Sequence, residues 1–511
     1  MTKSNAPEFN EENIRYNQHG YYVKNKESLN RKKTVTVVTP VYNASKFISK
    51  TIDSVISQSL HIENIEFILV DDHSTDSSRE ILWNYAEQHK DIVAVFLKDN
   101  TGSPAHPRNV GIDLASSDFI CFLDADDWLD PEALEVLTSL LEETGDDYVV
   151  GKTLKATSTG YRIIGEHQSI VERRSVPPCS IPNIFHHMGS NAKMMKRQLL
   201  IDHNIRFPHM KYAEDKQFYM DVILHSNKAS TTRKAVSYLN RLDENGESLT
   251  NQTDIFEKMD TNLKVIEHIK QQKLPVEQEK IVLNRLYEFD FITQLFDPAH
   301  FSQSTDKQAY YDKFQEALDT AKDLGYDISK NFFHPICKVI YRLFLQGKYA
   351  SIEALVEWNK HEKSKHYVIK NNLPYMVVPF FQGEFKHIRV PMLALYKNEH
   401  LTGKRDSLEF QVFGDYTDEV NGLVFRNKTN LNEEYVFAFE VKGKGGDISY
   451  TASIPLKAFP ASNFTKFIRY NTFRKLEFTN YQNVRFERNQ YTATSYVSST
   501  AKSASQFSSL K

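Results

Sequence analysis

Cysteine is scarce in this 511-residue chain. The three thiols, Cys121, Cys179 and Cys337, lie far apart and form no CxxC pair. That speaks against a disulfide framework and a zinc site, and fits idle or buried thiols in a reducing compartment. Long hydrophobic runs are missing too. No apolar stretch reaches about 18 residues, so nothing reads as a membrane span. The polar segment Met1–Lys33 lacks the apolar core of a signal peptide, and a cytoplasmic home is expected. Excess charge of one sign is also absent, with 63 Lys plus Arg against 66 Asp plus Glu, net −3. Phosphate-backbone binders usually carry a strong positive bias, so nucleic acid is not an expected partner. A local basic patch would still serve a polyanionic one.

What is present is an ordinary globular mixture, 40% hydrophobic and 25% charged, long enough for two to four domains. After an extension at 1–33, a Val/Thr-rich strand is expected over 34–39, ended by Pro40. A one-faced helix suits 46–58, with Phe47, Ile48, Ile52, Val55 and Ile56 at helical spacing. Further strands are expected at 65–70, 93–97 and 119–123, with a helix near 77–89. Strands alternating with helices predict an α/β parallel sheet, whose ligands sit outside the carboxyl ends of the strands. Residues 185–350 read as helical, with candidates at 193–203, 215–226, 254–271, 276–295 and 306–323. The Lys/Glu/His-rich 351–370 reads as a helical linker. From 371 short β-rich runs (375–381, 408–413, 435–441, 448–454), separated by turn residues such as Asn421-Gly422 and 443–447, predict a β-sandwich-like module to about 490, for oligomerisation or glycan binding. The Ser/Thr/Ala-rich tail 491–511 reads as disordered.

Four constellations carry chemistry. Asp124-Ala125-Asp126-Asp127 follows the apolar strand 119–123. Carboxylates two residues apart at a strand end can face one pocket and hold Mg²⁺ or Mn²⁺, the hard cations that bridge phosphate oxygens and stabilise a leaving diphosphate. An isolated Asp-x-Asp is more often a solvated acidic loop; its place after a buried strand favours the site. Asp71-Asp72, at the end of the 65–70 strand, precedes Ser74 and Asp76. Asp72 can accept a pyrimidine N–H, while Ser74 or Asp76 caps the next helix. Asn100 to Asn109, broken by Gly102, Pro104 and Pro107, is an irregular loop in which Arg108 can pair with phosphate or orient a carboxylate. Glu214-Asp215 opens a helix. Asp215 is the candidate base for an acceptor hydroxyl and Glu214 its orienting partner, although first-turn acids also serve the helix dipole.

Together and in order, Thr39-Pro-Val-Tyr-Asn43, Asp71–Asp76, Asp124–Asp127 and Glu214-Asp215 resemble glycosyltransferase family 2 over residues 34–250. The resemblance implies the nucleotide-diphospho-sugar transferase (GT-A) fold, a Rossmann-like mixed sheet, and inversion at the anomeric carbon. Gly102-Ser-Pro-Ala-His-Pro-Arg-Asn109, the Glu-Asp215 context, a helical segment at 251–350 and the C-terminal β module are similar to the wall teichoic acid glycosyltransferases of Gram-positive bacteria. Those enzymes add N-acetylglucosamine from UDP-N-acetylglucosamine to poly(ribitol phosphate), and carry trimerising immunoglobulin-like modules. By this resemblance Pro40 and Tyr42 line the base pocket and Asp72 holds the uracil. Asn100 and Arg108 contact the nucleotide or its phosphates, Asp124 the ribose or sugar, and Asp126 the metal, Mn²⁺ or Mg²⁺; Asp215 is the base. The implied partners are a UDP-sugar, a polyanionic glycopolymer that would draw the enzyme to the inner face of the membrane, and further copies of the chain in a homo-oligomer, a trimer. One departure stands out. Related enzymes often place a histidine after a Gly-Glu pair as a second metal ligand, whereas Gly246-Glu247 is followed by Ser248. Either the metal has fewer protein ligands or Ser248 meets phosphate directly.

Other readings remain at this stage. A transferase for capsule or another surface polysaccharide differs only in acceptor. A non-catalytic glycan-binding scaffold is opposed by the intact Asp126 and Asp215. A nucleotidyltransferase usually carries a Gly-rich phosphate loop, which Thr39–Asn43 lacks. The donor sugar is not specified by these residues.

Overall fold

The structure is a computed structural model describing residues 9–11, 14–242, 253–402, 405–442, 448–455, 463–479, 484–488, 491–493 and 504–506. The chain divides into two compact units, Met1–Val265 and Ile266–Lys511.

The first unit is built on one mixed sheet. Its strands are β1 (Tyr21–Lys24), β2 (Val35–Val41), β3 (Ile65–Asp71), β4 (Ile92–Leu97), β5 (Phe119–Phe122), β6 (Trp128–Leu129), β7 (Tyr148–Thr157), β8 (Gly160–Ile164), β9 (Arg173–Val176), β10 (Lys193–Lys196) and β11 (Ala229–Asn240). The order is β1-β4-β3-β2-β5-β10-β7-β11-β6, with β8 on β7 and β9 on β11. β2, β3, β4 and β5 run parallel, and β10 is antiparallel to both β5 and β7. The carboxyl ends of β2, β3, β5 and β7 therefore share one edge of the sheet.

β2 and β3 are buried on both faces, which is why they read as continuous apolar runs rather than alternating ones. The exception, Glu66, is fully buried; its carboxylate accepts from Thr36 Oγ1 (2.5 Å), Ser116 N (2.8 Å) and Ser116 Oγ (2.7 Å). Pro40 sits where β2 still pairs with β3 but β5 pairing has stopped at Val38, so its missing N–H costs no ladder bond there.

Four helices pack on the sheet: α1 (Ile48–Ile56) by β6, α2 (Ser78–Gln88) and α3 (Ala105–Leu114) on the β2–β4 half, and α4 (Ala133–Thr144) against β7, β10 and β11. α3 approaches β2 so closely that a Cβ on Gly111 would lie 2.3 Å from Val38 Cγ1. Glycine there lets the helix sit down and fixes Arg108, one turn earlier, over the strand ends. The extension 1–33 gains a place in part: β1 pairs antiparallel with β4, and Asn25 Nδ2 donates to Ala86 O (2.7 Å) and Ile92 O (2.8 Å).

The expected helix at 193–203 is corrected. Residues 193–196 form β10 between β5 and β7, and only Arg197–Asp202 is helical (α6, after a short α5 at Glu166–Ser169). The apolar pair Met194-Met195 fits either period, and strand pairing decided it. α7 (Glu214–His225) follows, and the helix Ile255–Gln271 leads into the second unit.

That unit begins with helices at Val276–Asn284, Lys307–Asp319, Pro335–Leu345 and Tyr349–His361; a π-helical stretch, Arg285–Thr293, continues the first. The presumed linker 351–370 instead ends in a strand, His366–Lys370, paired with Leu373–Val377 and Val484–Arg488. Two further sheets, centred on Arg405–Gly414 and Val420–Asn427, enclose a shared core of Leu408, Phe410, Ala452, Leu423, Phe425, Phe464 and Ile468, a β-sandwich. Asn421-Gly422 is not a turn but lies within the strand Val420–Asn427. The run 435–441 splits into strands Glu434–Phe437 and Phe439–Lys442 of different sheets. The expected turn at 443–447 and most of the tail lie outside the described residues, though Tyr491–Ala493 and Ala504–Gln506 are strands. No helix among the described residues is long and apolar enough to cross a membrane.

Candidate active site

Two loops at the strand ends lace together. Asn43, in the left-handed region at φ 48°, turns the chain after β2. Its Oδ1 accepts from Thr75 N (2.8 Å), its own N–H donates to Ser74 Oγ (3.0 Å), and Ser45 N donates to Asp76 Oδ2 (3.0 Å). Ser74 and Asp76 thus act mainly across loops, although Asp76 Oδ1 also takes the Ser78 N–H at 2.9 Å. Asp72 N donates to Val41 O at 2.8 Å. The Asp72 carboxylate is 3% exposed and accepts from Thr101 N (3.1 Å), Thr101 Oγ1 (2.9 Å) and Asn100 Nδ2 (3.2 Å). Burial raises its pKa, against those bonds. Asp72 and Asn100 therefore organise one loop beside the exposed Tyr42 and half-buried Pro40.

The acidic turn after β5 is held from below by Thr51 of α1, whose Oγ1 donates to Ala125 O (2.8 Å) and Asp127 O (2.7 Å). Its three carboxylates have different fates. Asp127 is fully buried, accepting from Asn191 Nδ2 (2.6 Å) and Asn240 N (2.8 Å). Burial and then the neighbouring Asp126 and Asp124 push its pKa well up, so it serves the turn rather than a ligand. Asp124 accepts from Ser190 Oγ (2.9 Å) and Arg108 Nη2 (2.7 Å). Asp126 is the remaining, partly exposed carboxylate of the turn.

Arg108 joins the turn to α7. While Nη2 binds Asp124, Nη1 donates to Glu214 Oε1 at 2.9 Å, and the guanidinium lies 5.0 Å over the Phe207 ring. Burial disfavours its charge, but Asp124 and Glu214 more than offset that and hold it protonated. An aromatic trio fixes the same junction: Phe207 stacks on Phe218 (3.8 Å, 6°) and Phe122 meets both edge-on. Ala213, at φ 67°, turns the chain sharply into α7 just before Glu214. Burial, then the Asp215 charge, raises Glu214 to about 7. Asp215, partly exposed, is raised by burial while Arg108 and Lys216 oppose the shift.

The fold thus brings Asp72, Asn100, Arg108, Asp124, Asp126, Glu214 and Asp215 to one edge of the sheet, with Pro40 and Tyr42 beside them. Ser248 lies outside the described residues. Ser190, Asn191, Lys193 and Asn240 were missed by sequence reasoning. Gly189-Ser190-Asn191 ahead of an apolar pair was the available signal, obscured by reading 193–203 as helix.

Among the described residues no group of three His, Cys, Asp or Glu is set to hold a metal. The residues still fit one. Mg²⁺ and Mn²⁺ need only one or two protein carboxylates when water and phosphate oxygens complete the shell, and Asp126 is such a carboxylate.

A parallel-ended mixed sheet with acids at its switch edge defines the GT-A class of nucleotide-sugar folds. A family model, glycosyl transferase family 2, matches residues 36–207. The poly(ribitol-phosphate) β-glucosyltransferase of Bacillus spizizenii is 34% identical over 199 residues, 39% of this chain and 31% of that one. The poly(ribitol-phosphate) β-N-acetylglucosaminyltransferase TarP of Staphylococcus aureus is 31% identical over 205 residues, 39% and 60% of the two chains. An uncharacterized glycosyltransferase of Haemophilus influenzae is 31% identical over 217 residues, 39% of this chain and 77% of that one. This chain belongs to glycosyltransferase family 2. It spans less than two thirds of the length of the two poly(ribitol-phosphate) relatives. Among solved structures, S. aureus TarS aligns with TM-score 0.56 at 19% identity over 90% of this chain and 79% of that one, and TarS 1–349 in complex with UDP-GlcNAc with TM-score 0.56 at 21% identity over 70% and 99%. At that identity the likeness speaks for the fold.

Proposed function

We propose that the chain is an inverting glycosyltransferase that moves a sugar, N-acetylglucosamine in the first instance, from a UDP-sugar onto a hydroxyl of poly(ribitol phosphate). The observation that carries the transferase reading is the buried Arg108, which holds Asp124 and Glu214 in one constellation beside Asp215. The acceptor reading is supported by the likeness to the poly(ribitol-phosphate) transferases of B. spizizenii and S. aureus.

Asp215 takes the proton from the acceptor hydroxyl as that oxygen attacks the anomeric carbon from the face opposite the diphosphate. The bond from that carbon to the diphosphate oxygen breaks, UDP leaves with the electron pair, and the configuration inverts. Burial strengthens Asp215 as a base, and the Arg108 and Lys216 cations oppose that rise. Glu214, held near neutrality, completes the hydrogen bonding of Arg108 without adding a full second charge. The Asp72–Asn100–Thr101 loop and Tyr42 receive the uracil. Asp126 would hold Mn²⁺ or Mg²⁺, which neutralises charge building on the diphosphate.

The test follows UDP release with Mn²⁺ or Mg²⁺ from a panel of UDP-sugars, with and without poly(ribitol phosphate). Release that needs one sugar and the polymer supports the reading. Release indifferent to the polymer moves the acceptor to another glycan, and no release from folded protein refutes the transferase.

A further inference from the structure

A buried lysine beside these carboxylates has no part in the chemistry above. Lys193, the first residue of β10, is 1% exposed. An ammonium group taken out of water is costly unless its protons are used. Lys193 Nζ donates to Gly189 O (2.7 Å) and Asn191 O (3.2 Å) and lies 5.2 Å from the Tyr219 ring centroid. Burial lowers its pKa to about 7, opposed by the charge of Asp215.

The two carbonyls belong to a three-residue strap, and each strap residue meets a site acid. Ser190 Oγ donates to Asp124 Oδ2 at 2.9 Å and Asn191 Nδ2 to Asp127 Oδ2 at 2.6 Å. Gly189 packs against the third acid; a Cβ there would lie 3.9 Å from Asp215 Oδ2. The strap leaves through Ala192 at φ 56°, a left-handed conformation an alanine keeps only when its surroundings impose it. Lys193 supplies the hydrogen bonds that close this turn from within.

We propose that Lys193 is a positioning residue of the transfer reaction, its ammonium pinning the Gly189–Asn191 strap so that Asp124, Asp127 and Asp215 keep their mutual geometry. This rests on the transferase reading. The loop that receives the uracil is held by bonds of Asp72 to Val41, Asn100 and Thr101 rather than by the strap, so loss of the pin falls more on the chemical step than on donor binding. Misplacement of reacting groups by about 1 Å can cost on the order of 100-fold in rate.

The test is steady-state kinetics on the full chain, with donor and polymer varied separately. Lys193→Met should lower kcat roughly 10- to 100-fold with donor KM within about twofold. Lys193→Arg, which keeps charge and donors, should recover most of the loss. If Lys193→Met does not fold, Ser190→Ala carries the test: it cuts the strap's bond to Asp124 and should lower kcat severalfold, by a larger factor than any rise in donor KM. Unchanged kcat in the variant that folds, kcat and donor affinity falling together, or an arginine variant no better than methionine, each overturns the inference. A wild type silent with every donor refutes the transferase reading, and this inference with it; an active wild type with unchanged variants refutes this inference alone.

Discussion

Replacing Glu214 by glutamine removes a charge that the folded chain accommodates poorly. The carboxyl is 8% exposed, and its folded pKa of about 7 stands above the ordinary 4.5. Between those values the folded chain binds more protons than the unfolded one, so this group makes stability fall as pH rises from about 4.5 to about 7. The rise corresponds to roughly 3 kcal/mol at ~1.4 kcal/mol per pKa unit, fully felt above pH 7. Glutamine avoids that cost and keeps an acceptor for Arg108 Nη1, but places a buried amide NH₂ beside the guanidinium, a cost of about 1–2 kcal/mol. The net expectation is a gain of about 1–2 kcal/mol at pH 8 that vanishes or reverses near pH 4. For a unit the size of Met1–Val265 this is a rise of roughly 2–8 °C in Tm at pH 8. Thermal melting of wild type and Glu214→Gln at half-unit steps from pH 4 to pH 8.5 measures it. A variant whose deficit against wild type grows as pH rises from 4 to 8 would show that Arg108 stabilises the Glu214 charge more than burial penalises it, and the reasoning would fall.

Asp215→Asn should lower kcat by about 10²–10⁴ while UDP-sugar affinity, measured by calorimetry, stays within about twofold; a loss of less than tenfold would remove Asp215 as the base. Arg108→Lys cannot span Asp124 and Glu214 with one ammonium, and should cost about 1–3 kcal/mol in denaturant unfolding and at least tenfold in kcat. Asp126→Ala should abolish the dependence of UDP-sugar affinity on Mn²⁺ or Mg²⁺, whereas an undiminished metal response would place the cation elsewhere. Val436 and Val441, 55% and 58% exposed on edge strands, are the positions we propose for self-association, with a trimer the assembly to test. Sedimentation of the full chain at micromolar concentration should give a trimer that Val436→Asp with Val441→Asp dissociates, and a wild-type monomer would rule the assembly out.

Much of the first unit was legible because local rules and tertiary outcome agree there. The β-branched run at 34–39 can bury both faces only inside a parallel sheet, and Asp71-Asp72 and Asp124–Asp127 stand where such strands must end. The second unit was less legible. Asn421-Gly422 has turn chemistry, yet cross-strand pairing with Asn463–Tyr470 and Glu434–Phe437 overrides it. The Lys/Glu/His-rich 351–370 reads as a helical linker, but its last five residues are a strand paired on both sides by neighbours.

The order of residues alone settled which acids stand at strand ends, because hydrophobic periodicity and breaks are local properties. It did not assign them tasks. Asp124, Asp126 and Asp127 are chemically equivalent in the chain, and only the folded molecule makes one an arginine partner, one a buried clamp on Asn191 and Asn240, and one the partly exposed carboxylate suited to a cation. Likewise Arg108 and Glu214 meet across a separation of 106 residues. Their charge states follow from burial and mutual distance, quantities that exist only once the sheet has closed.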